Sequence, residues 1–104
     1  MTSKQLADVL RELSQASKQI MNKSDLRFAM DKYDMLFLGE NFNIINSLEL
    51  RHSLSKHFHI EISSDELNSL ISVTCPALNM PLIPMADIND LNNPVPSAYQ
   101  ITLW

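Results

Sequence analysis

Proline is confined to one part of this sequence, and its placement limits the fold more than any other feature. All five prolines lie between Pro76 and Pro96, where a missing N–H and a fixed φ disfavour continuous helix. The first 75 residues contain no proline and a single glycine, Gly39, which is a natural helix stop. The sequence therefore predicts a mainly α domain, with its helices before residue 76 and short extended pieces after it.

Four amphipathic helices are predicted from apolar residues that recur every three or four positions. They cover residues 3–21, 25–37, 48–58 and 64–75. The first has Thr2 or Ser3 as its cap, and Gln5 stands three residues after Thr2, as in a capping box. Ser63 and Glu66 form the same pattern before the fourth helix.

The region after Pro76 has room only for short elements. Residues 82–83 are predicted to be extended, 85–91 to form one or two helical turns and 92–97 to form a turn-rich link. From residue 99 to residue 103 apolar and polar residues alternate, which is typical of a short strand or extended tail. Trp104 is expected to pack on the domain or on a partner, because a large amphipathic ring gains from burial.

Charge is distributed unevenly along the chain. The formal net charge is −4, and every Lys and Arg lies at or before Lys56. Residues 1–56 carry about +1, whereas residues 57–104 carry −5. A phosphate backbone would meet like charge over the C-terminal half, so nucleic acid is an unfavourable partner there.

Cysteine content and hydropathy indicate the expected compartment. Cys75 is the single cysteine and has no partner within the chain for a disulfide, which fits a reducing environment. No apolar run approaches the roughly 20 residues of a membrane span, and residues 1–5 lack the features of a signal peptide. We therefore expect a cytoplasmic protein without a membrane partner.

No constellation of residues predicts catalysis, a metal site or a cofactor. Cys75 with a histidine base is the one nucleophile pair to consider, but its apolar surroundings beside Pro76 are typical of a packed cysteine. His52, His57 and His59 do not have the spacing of a zinc site. We expect neither an enzyme nor a cofactor-dependent protein.

One pattern occurs twice, 38 residues apart. Ile45 is followed four residues later by Glu49 and then by an apolar residue, and Ile83 is followed in the same way by Asp87 and an apolar residue. Each copy has a helical stretch on both sides. Two packed helix-loop-helix units, neither of which buries its apolar face alone, would give such a period.

This spacing resembles the EF-hand family, in which an apolar residue at loop position 8 precedes an acidic ligand at position 12. Residues 29–33 look like the family's Ala-Phe-x-x-Phe motif, Asp34 stands where the loop begins, and Gly39 falls at position 6. The resemblance covers about residues 25–91.

The resemblance implies a mainly α fold of paired EF-hand-like units, with an extra N-terminal amphipathic helix and short β pieces near Ile45 and Ile83 that join the units. One domain would then cover the whole chain. Its parts would be an N-terminal helix (1–22), a first EF-hand-like unit (23–58), a second unit (63–92) and a C-terminal tail (93–104).

Both loops lack the oxygen ligands that calcium needs. In the first loop, positions 3 and 5 hold Leu36 and Leu38, and this loop is also four residues too long. In the second loop, the same positions hold Leu78 and Met80. The resemblance then implies a calcium-independent, light-chain-like or adaptor-like module that holds an amphipathic helix of another protein in an apolar groove. The resemblance is also compatible with a homo-oligomer. The candidate groove residues are Met30, Phe37, Leu54, Phe58, Leu67, Ile71 and Met85.

A winged helix is the alternative fold. Its element order of helix, strand, helix, helix and two strands also fits, with the last two strands at Leu82 and Tyr99. The helix that begins at Ser64 would be the recognition helix, yet it contains Asp65, Glu66 and no Lys or Arg, which is poorly suited to reading DNA. This alternative allows either a transcriptional regulator or a protein-binding module.

Overall fold

The first helix begins at the predicted capping box. The structure, a computed structural model, describes residues 1–85 and 97–104. Helix α1 covers Ser3–Lys18. The Gln5 N–H donates to Thr2 Oγ1 at 3.1 Å and the Thr2 N–H donates to Gln5 Oε1 at 2.7 Å, so the box is confirmed. One face of α1 is buried through Leu6, Val9, Leu10 and Leu13.

Helix α2 covers Lys23–Tyr33 and is shorter than its sequence pattern predicts. Asn22 caps it by accepting a hydrogen bond from the Asp25 N–H at 2.9 Å. Asp34 adopts the left-handed conformation, with φ of 52°, and ends the helix there. The prediction that this helix extends to residue 37 and stops at Gly39 was therefore wrong.

The segment after α2 is a loop that its own backbone closes. Leu38 and Ile44 exchange two backbone hydrogen bonds, of 2.7 and 3.0 Å. Gly39 turns the chain between them with φ of 86°, and a Cβ at this position would lie 2.9 Å from Ile44 Cδ1. Phe37 is buried whereas its neighbours Leu36 and Leu38 are exposed, which is the alternation of an extended chain.

Helices α3 and α4 follow one another across a short connection, residues 57–63. Helix α3 covers Ser47–Lys56 and α4 covers Ser64–Ala77. Ser63 caps α4 by accepting a hydrogen bond from the Glu66 N–H at 3.2 Å, as predicted.

The C-terminal end of α4 differs from the prediction. Pro76 was expected to end the helix at residue 75, but it lies within the last turn, and the helix continues to Ala77. A proline so close to the end removes one N–H donor without breaking a long run of hydrogen bonds. The Leu78 N–H donates hydrogen bonds to the carbonyls of Thr74 and Cys75, and these bonds close the last turn of the helix.

Three short antiparallel strands form a sheet in the order β1-β3-β2. Strand β1 covers Ile44–Asn46, β2 covers Leu82–Met85 and β3 covers Ala98–Thr102. The register pairs Ile45 with Ile101 and Ile83 with Gln100. The extended pieces near Ile45 and Ile83 were expected to join two units directly; instead, β3 lies between them. Pairing with β3 lets the apolar side of that strand enter the core.

The core is one hydrophobic cluster that draws on every helix and on the central strand. Helix α1 packs against α4, and both α3 and α4 pack against β3. The side chains with no exposed surface include Leu6, Leu10, Leu13, Ile45, Leu50, Leu54, Ile71, Cys75 and Ile101. Because β3 contributes to this cluster, the tail is an integral part of the fold.

The last residue also packs on the domain, where Trp104 contacts α1 and the loop before β1. The indole Nε1–H donates to Ser17 Oγ at 2.9 Å, and the Ser17 hydroxyl donates to the Phe42 carbonyl at 2.6 Å. The Asn43 side-chain amide donates to the Trp104 carbonyl at 2.6 Å. Of the two expectations for this residue, packing on its own domain is the one observed.

Candidate functional site

Most of the seven predicted groove residues serve the core. The fully enclosed ones, each no more than 3% exposed, are Phe37, Leu54, Leu67 and Ile71. A partner cannot reach them while the domain is folded. Met30 and Phe58 are half-buried against the core, and Met85 is exposed at the end of β2. Met30, Phe58 and Met85 are therefore the members of the set that keep some access to the surface.

An open groove with both apolar and charged side chains in its lining lies between the end of α2 and the start of α3, with a volume of about 610 Å³. Leu36 and Leu48 are 46% and 59% exposed there, and Met30 and Met35 also line it. Single exposed leucines are ordinary on a protein surface, but apolar side chains gathered in one recess are characteristic of binding sites. We call this recess, lined by residues 30, 31, 34–36, 48, 49 and 52, the α2–α3 groove.

Three carboxylates border the α2–α3 groove, and the fold holds two of them in place. Asp34 Oδ2 lies 3.1 Å from His52 Nε2. Glu49 Oε2 accepts a hydrogen bond from the Leu36 N–H at 3.3 Å. Asp31 is the third and has no ion pair among the residues that the structure describes. No Lys or Arg is among the residues lining the groove.

Both groove leucines were missed because the predicted groove was drawn mainly from residues on the apolar faces of the helices. Leu48 stands outside the buried stripe of α3, which contains Leu50 and Leu54. An apolar residue that departs from its helix's apolar stripe is the signal that could have identified it. Leu36 was placed both within the predicted helix over 25–37 and at position 3 of the first EF-hand-like loop, and its exposure becomes evident only once α2 ends at Tyr33.

The outward face of α4 carries negative and uncharged side chains. The exposed residues are Asp65, Glu66, Ser69, Ser72, Val73, Pro76 and Ala77. The two acids lie in the first turn, where they complement the helix dipole. The chain has no Lys or Arg from residue 57 onward, so neither α4 nor the segment joining β2 to β3 supplies a cation. The described residues of this face therefore include no cation to pair with phosphate.

Strand β2 is an outer strand of the sheet and exposes Ile83 and Met85. Pro84 stands between them and lacks an N–H, so this edge cannot offer a continuous row of hydrogen-bond donors to an added strand. Proline at an edge strand is a common protection against such pairing. The β2 edge is therefore a poorer docking surface than the α2–α3 groove.

A smaller recess of about 330 Å³ lies between α1 and α2, with Tyr33 in its lining and the exposed Phe28 at its rim. Burial, together with the Glu12 carboxylate beside the phenol, raises the pKa of Tyr33 to about 12. The hydroxyl therefore stays protonated at neutral pH. A phenol in this state is a structural group rather than a base.

The histidines occupy separate places and contact different groups. His52 contacts Asp34, whereas His57 packs its ring 4.8 Å from the Tyr33 ring and 4.7 Å from the Phe58 ring. His59 lies in the connection before α4 with φ of 58°. Within residues 1–85 and 97–104, no three His, Cys, Asp or Glu side chains converge on a point that could hold a metal ion.

Cys75 is expected to be unreactive in the folded protein. It has no exposed surface, and burial raises the pKa of its thiol to about 11, so almost no thiolate forms at pH 8. A colorimetric disulfide reagent at about pH 8 should label the native protein only as fast as it unfolds, and label one thiol at once in denaturant. Rapid stoichiometric labelling without denaturant would contradict this assignment.

Part of the predicted second loop lies outside the described residues. Asp87, the helical turns predicted over 85–91 and most of the link over 92–97 fall in or extend into residues 86–96, so the structure does not describe these predictions in full.

Among the described residues, no helix is long and apolar enough to cross a membrane. Comparisons with protein-family models, curated proteins and solved structures gave no match to this chain.

Proposed function

We propose that this chain is a non-catalytic, calcium-independent module that binds another protein and is built as a winged helix. The observation that supports this most strongly is the cation-free outward face of α4. In a winged helix that face meets the target, and readers of nucleic acid place Lys and Arg on it. The outward face of α4 has acids, serines and Val73 instead, which argues against nucleic acid as the target; the surface proposed to bind protein is a different one, the α2–α3 groove.

The order and pairing of elements support the winged-helix frame. Strand β1 is followed by the consecutive helices α3 and α4, and then by β2 and β3, which pair antiparallel. Residues 86–96 connect these last two strands, in the chain position of a wing. Asn68 on α4 donates a side-chain hydrogen bond to the Ser97 carbonyl at 3.2 Å, which ties the helix to the start of β3.

The EF-hand alternative has less support. It needs the pieces at Ile45 and Ile83 to pair with each other, whereas each of them pairs with β3. The two acids that a first calcium loop would use also have other contacts. Asp34 contacts the His52 side chain, and Glu49 accepts a hydrogen bond from the Leu36 N–H. Independence from calcium is proposed under either fold.

The α2–α3 groove is the surface proposed to receive the partner, through an amphipathic helix laid on Leu36 and Leu48. Met30 is the one residue of the sequence-predicted groove that lines it. A single buried cysteine without a disulfide partner fits a cytoplasmic role for this module.

Affinity capture with the full chain tests the proposal. Lysate of the source cell, with and without nuclease treatment, is passed over the immobilised protein at physiological salt, and duplex DNA binding is measured in parallel at about 50 mM salt, where phosphate contacts are strongest. The proposal expects a protein whose retention survives nuclease and calcium chelation, with no saturable DNA binding. Recovery of nucleic acid or small metabolites alone would overturn it.

A further inference from the structure

The border of the α2–α3 groove indicates the chemistry of its ligand. We propose that this groove takes a cationic amphipathic helix, with apolar side chains on Leu36 and Leu48 and with Lys or Arg beside Asp31, Asp34 and Glu49. This inference rests on the proposed protein-binding function and specifies the partner that the site selects.

Charge complementarity supports a cationic ligand over an acidic or neutral one. The described lining of the groove has three carboxylates and His52, and no Lys or Arg. Four of the five Lys and Arg of α2 and α3 line other recesses: Lys32 lines the recess between α1 and α2, Arg51 lines one with Glu61, and Lys23 and Arg27 line one that they share with Asp31. An acidic helix in the α2–α3 groove would meet like charge, whereas a basic one would be attracted and oriented.

The positions of two of the three acids are set by the fold rather than by the ligand, because Asp34 contacts His52 and Glu49 contacts the Leu36 N–H. Asp34 is the left-handed residue that ends α2, and Glu49 lies in the first turn of α3 with its carboxylate on the Leu36 N–H. Both groups are therefore oriented before binding, which lowers the entropy cost of forming new ion pairs. The exposed leucines lie in the same lining as these acids, so apolar and ionic contacts would form together.

The proposal is tested with two synthetic helical peptides of about 14 residues, roughly four turns. One has a leucine stripe flanked by lysines, and the other has glutamate in place of every lysine. Fluorescence anisotropy of each peptide with the full chain should show binding of the lysine form at least about tenfold tighter at low salt, with the difference shrinking as salt is added. Amide shifts in a protein NMR spectrum should change at residues 30–36 and 48–52.

Matched variants separate the groove from general attraction to an acidic protein. Leu48→Ala should weaken binding of the lysine peptide about fivefold or more, whereas Ile83→Ala, which truncates a similarly exposed side chain on β2, should leave it unchanged. Asp31→Lys should weaken it by about threefold or more, whereas Asp8→Lys on α1 should have a smaller effect. Circular dichroism of all four variants confirms that the fold is retained.

Two results would overturn the proposal: equal binding of both peptides, or equal losses in the groove variants and their controls. If either occurs while affinity capture still yields a nuclease-resistant protein, the groove assignment fails and the protein-binding function stands. If capture yields only nucleic acid, the proposed function fails instead, whatever the peptides do.

Discussion

Replacing Ile101 with Ala should lower the free energy of unfolding by about 2–5 kcal/mol, the range for truncating a fully buried aliphatic side chain. Ile101 has no exposed surface, lies in the central strand and pairs with Ile45 on one side and Leu82 on the other. Its loss would leave a cavity where β3 meets the helices. Urea denaturation followed by circular dichroism measures the change.

Ile83→Ala is the matched control for this prediction. Ile83 has the same side chain on the neighbouring strand but is 55% exposed, so its truncation should cost less than about 1 kcal/mol. In an EF-hand pair the tail after residue 92 lies outside both units, and Ile101 would matter little. Equal, small effects of the two substitutions would therefore contradict the fold described above.

Tyr33→Ala should be comparably severe, at about 3–5 kcal/mol, because it removes a large aromatic side chain from the core. Tyr33 is 3% exposed and contacts three rings: Phe37 at 6.3 Å, His57 at 4.8 Å and Phe58 at 6.1 Å between centroids. These contacts tie the end of α2 to the end of α3. Thermal unfolding should show a drop of roughly 4–8 °C for each kcal/mol lost.

Tyr33→Phe keeps the ring and isolates the hydroxyl. At neutral pH it should change stability by less than about 1 kcal/mol, so a large loss would mean that the phenol rather than the ring anchors the helix. The raised pKa of Tyr33, about 12 against 10.0, favours the neutral form in the folded state. The folded protein should therefore lose stability as pH rises from about 10 to 12, and this part of the loss should be absent in Tyr33→Phe.

Features set by neighbouring residues were predictable from sequence. The box formed by Thr2 and Gln5 and the cap at Ser63 each depend on residues three positions apart, and both are present. The end of α2 was not predictable in the same way. It depends on one residue, Asp34, adopting a left-handed conformation, while Gly39 offered a stronger but misleading stop signal.

Strand pairing was the least predictable part of the fold. Alternation from residue 99 to residue 103 indicated an extended segment, but a period of two does not identify which strand it joins. The repeated pattern at Ile45 and Ile83 indicated two related elements, and both do lie in strands. The two strands are related because they pair with opposite edges of β3. This is a long-range contact, and residue spacing along the chain does not reveal it.

The candidate site was only partly predictable for a related reason. Helical periodicity selects apolar faces, and a face that is buried in the core has the same pattern as one that lines a groove. Met30 was identified in this way, together with Leu54 and Ile71, which prove to be fully buried. The exposure of Leu36 could be recognised only once the end of α2 was known, whereas Leu48 could have been found from its place outside the apolar stripe of α3.

The position of β3 between β1 and β2 is the central claim, because the proposed winged-helix frame depends on it. Cross-strand nuclear Overhauser effects between backbone protons of the folded protein test it directly. The structure predicts contacts between Ile45 and Ile101 and between Ile83 and Gln100. Direct contacts between Ile45 and Ile83, with none from either to residues 98–102, would contradict it.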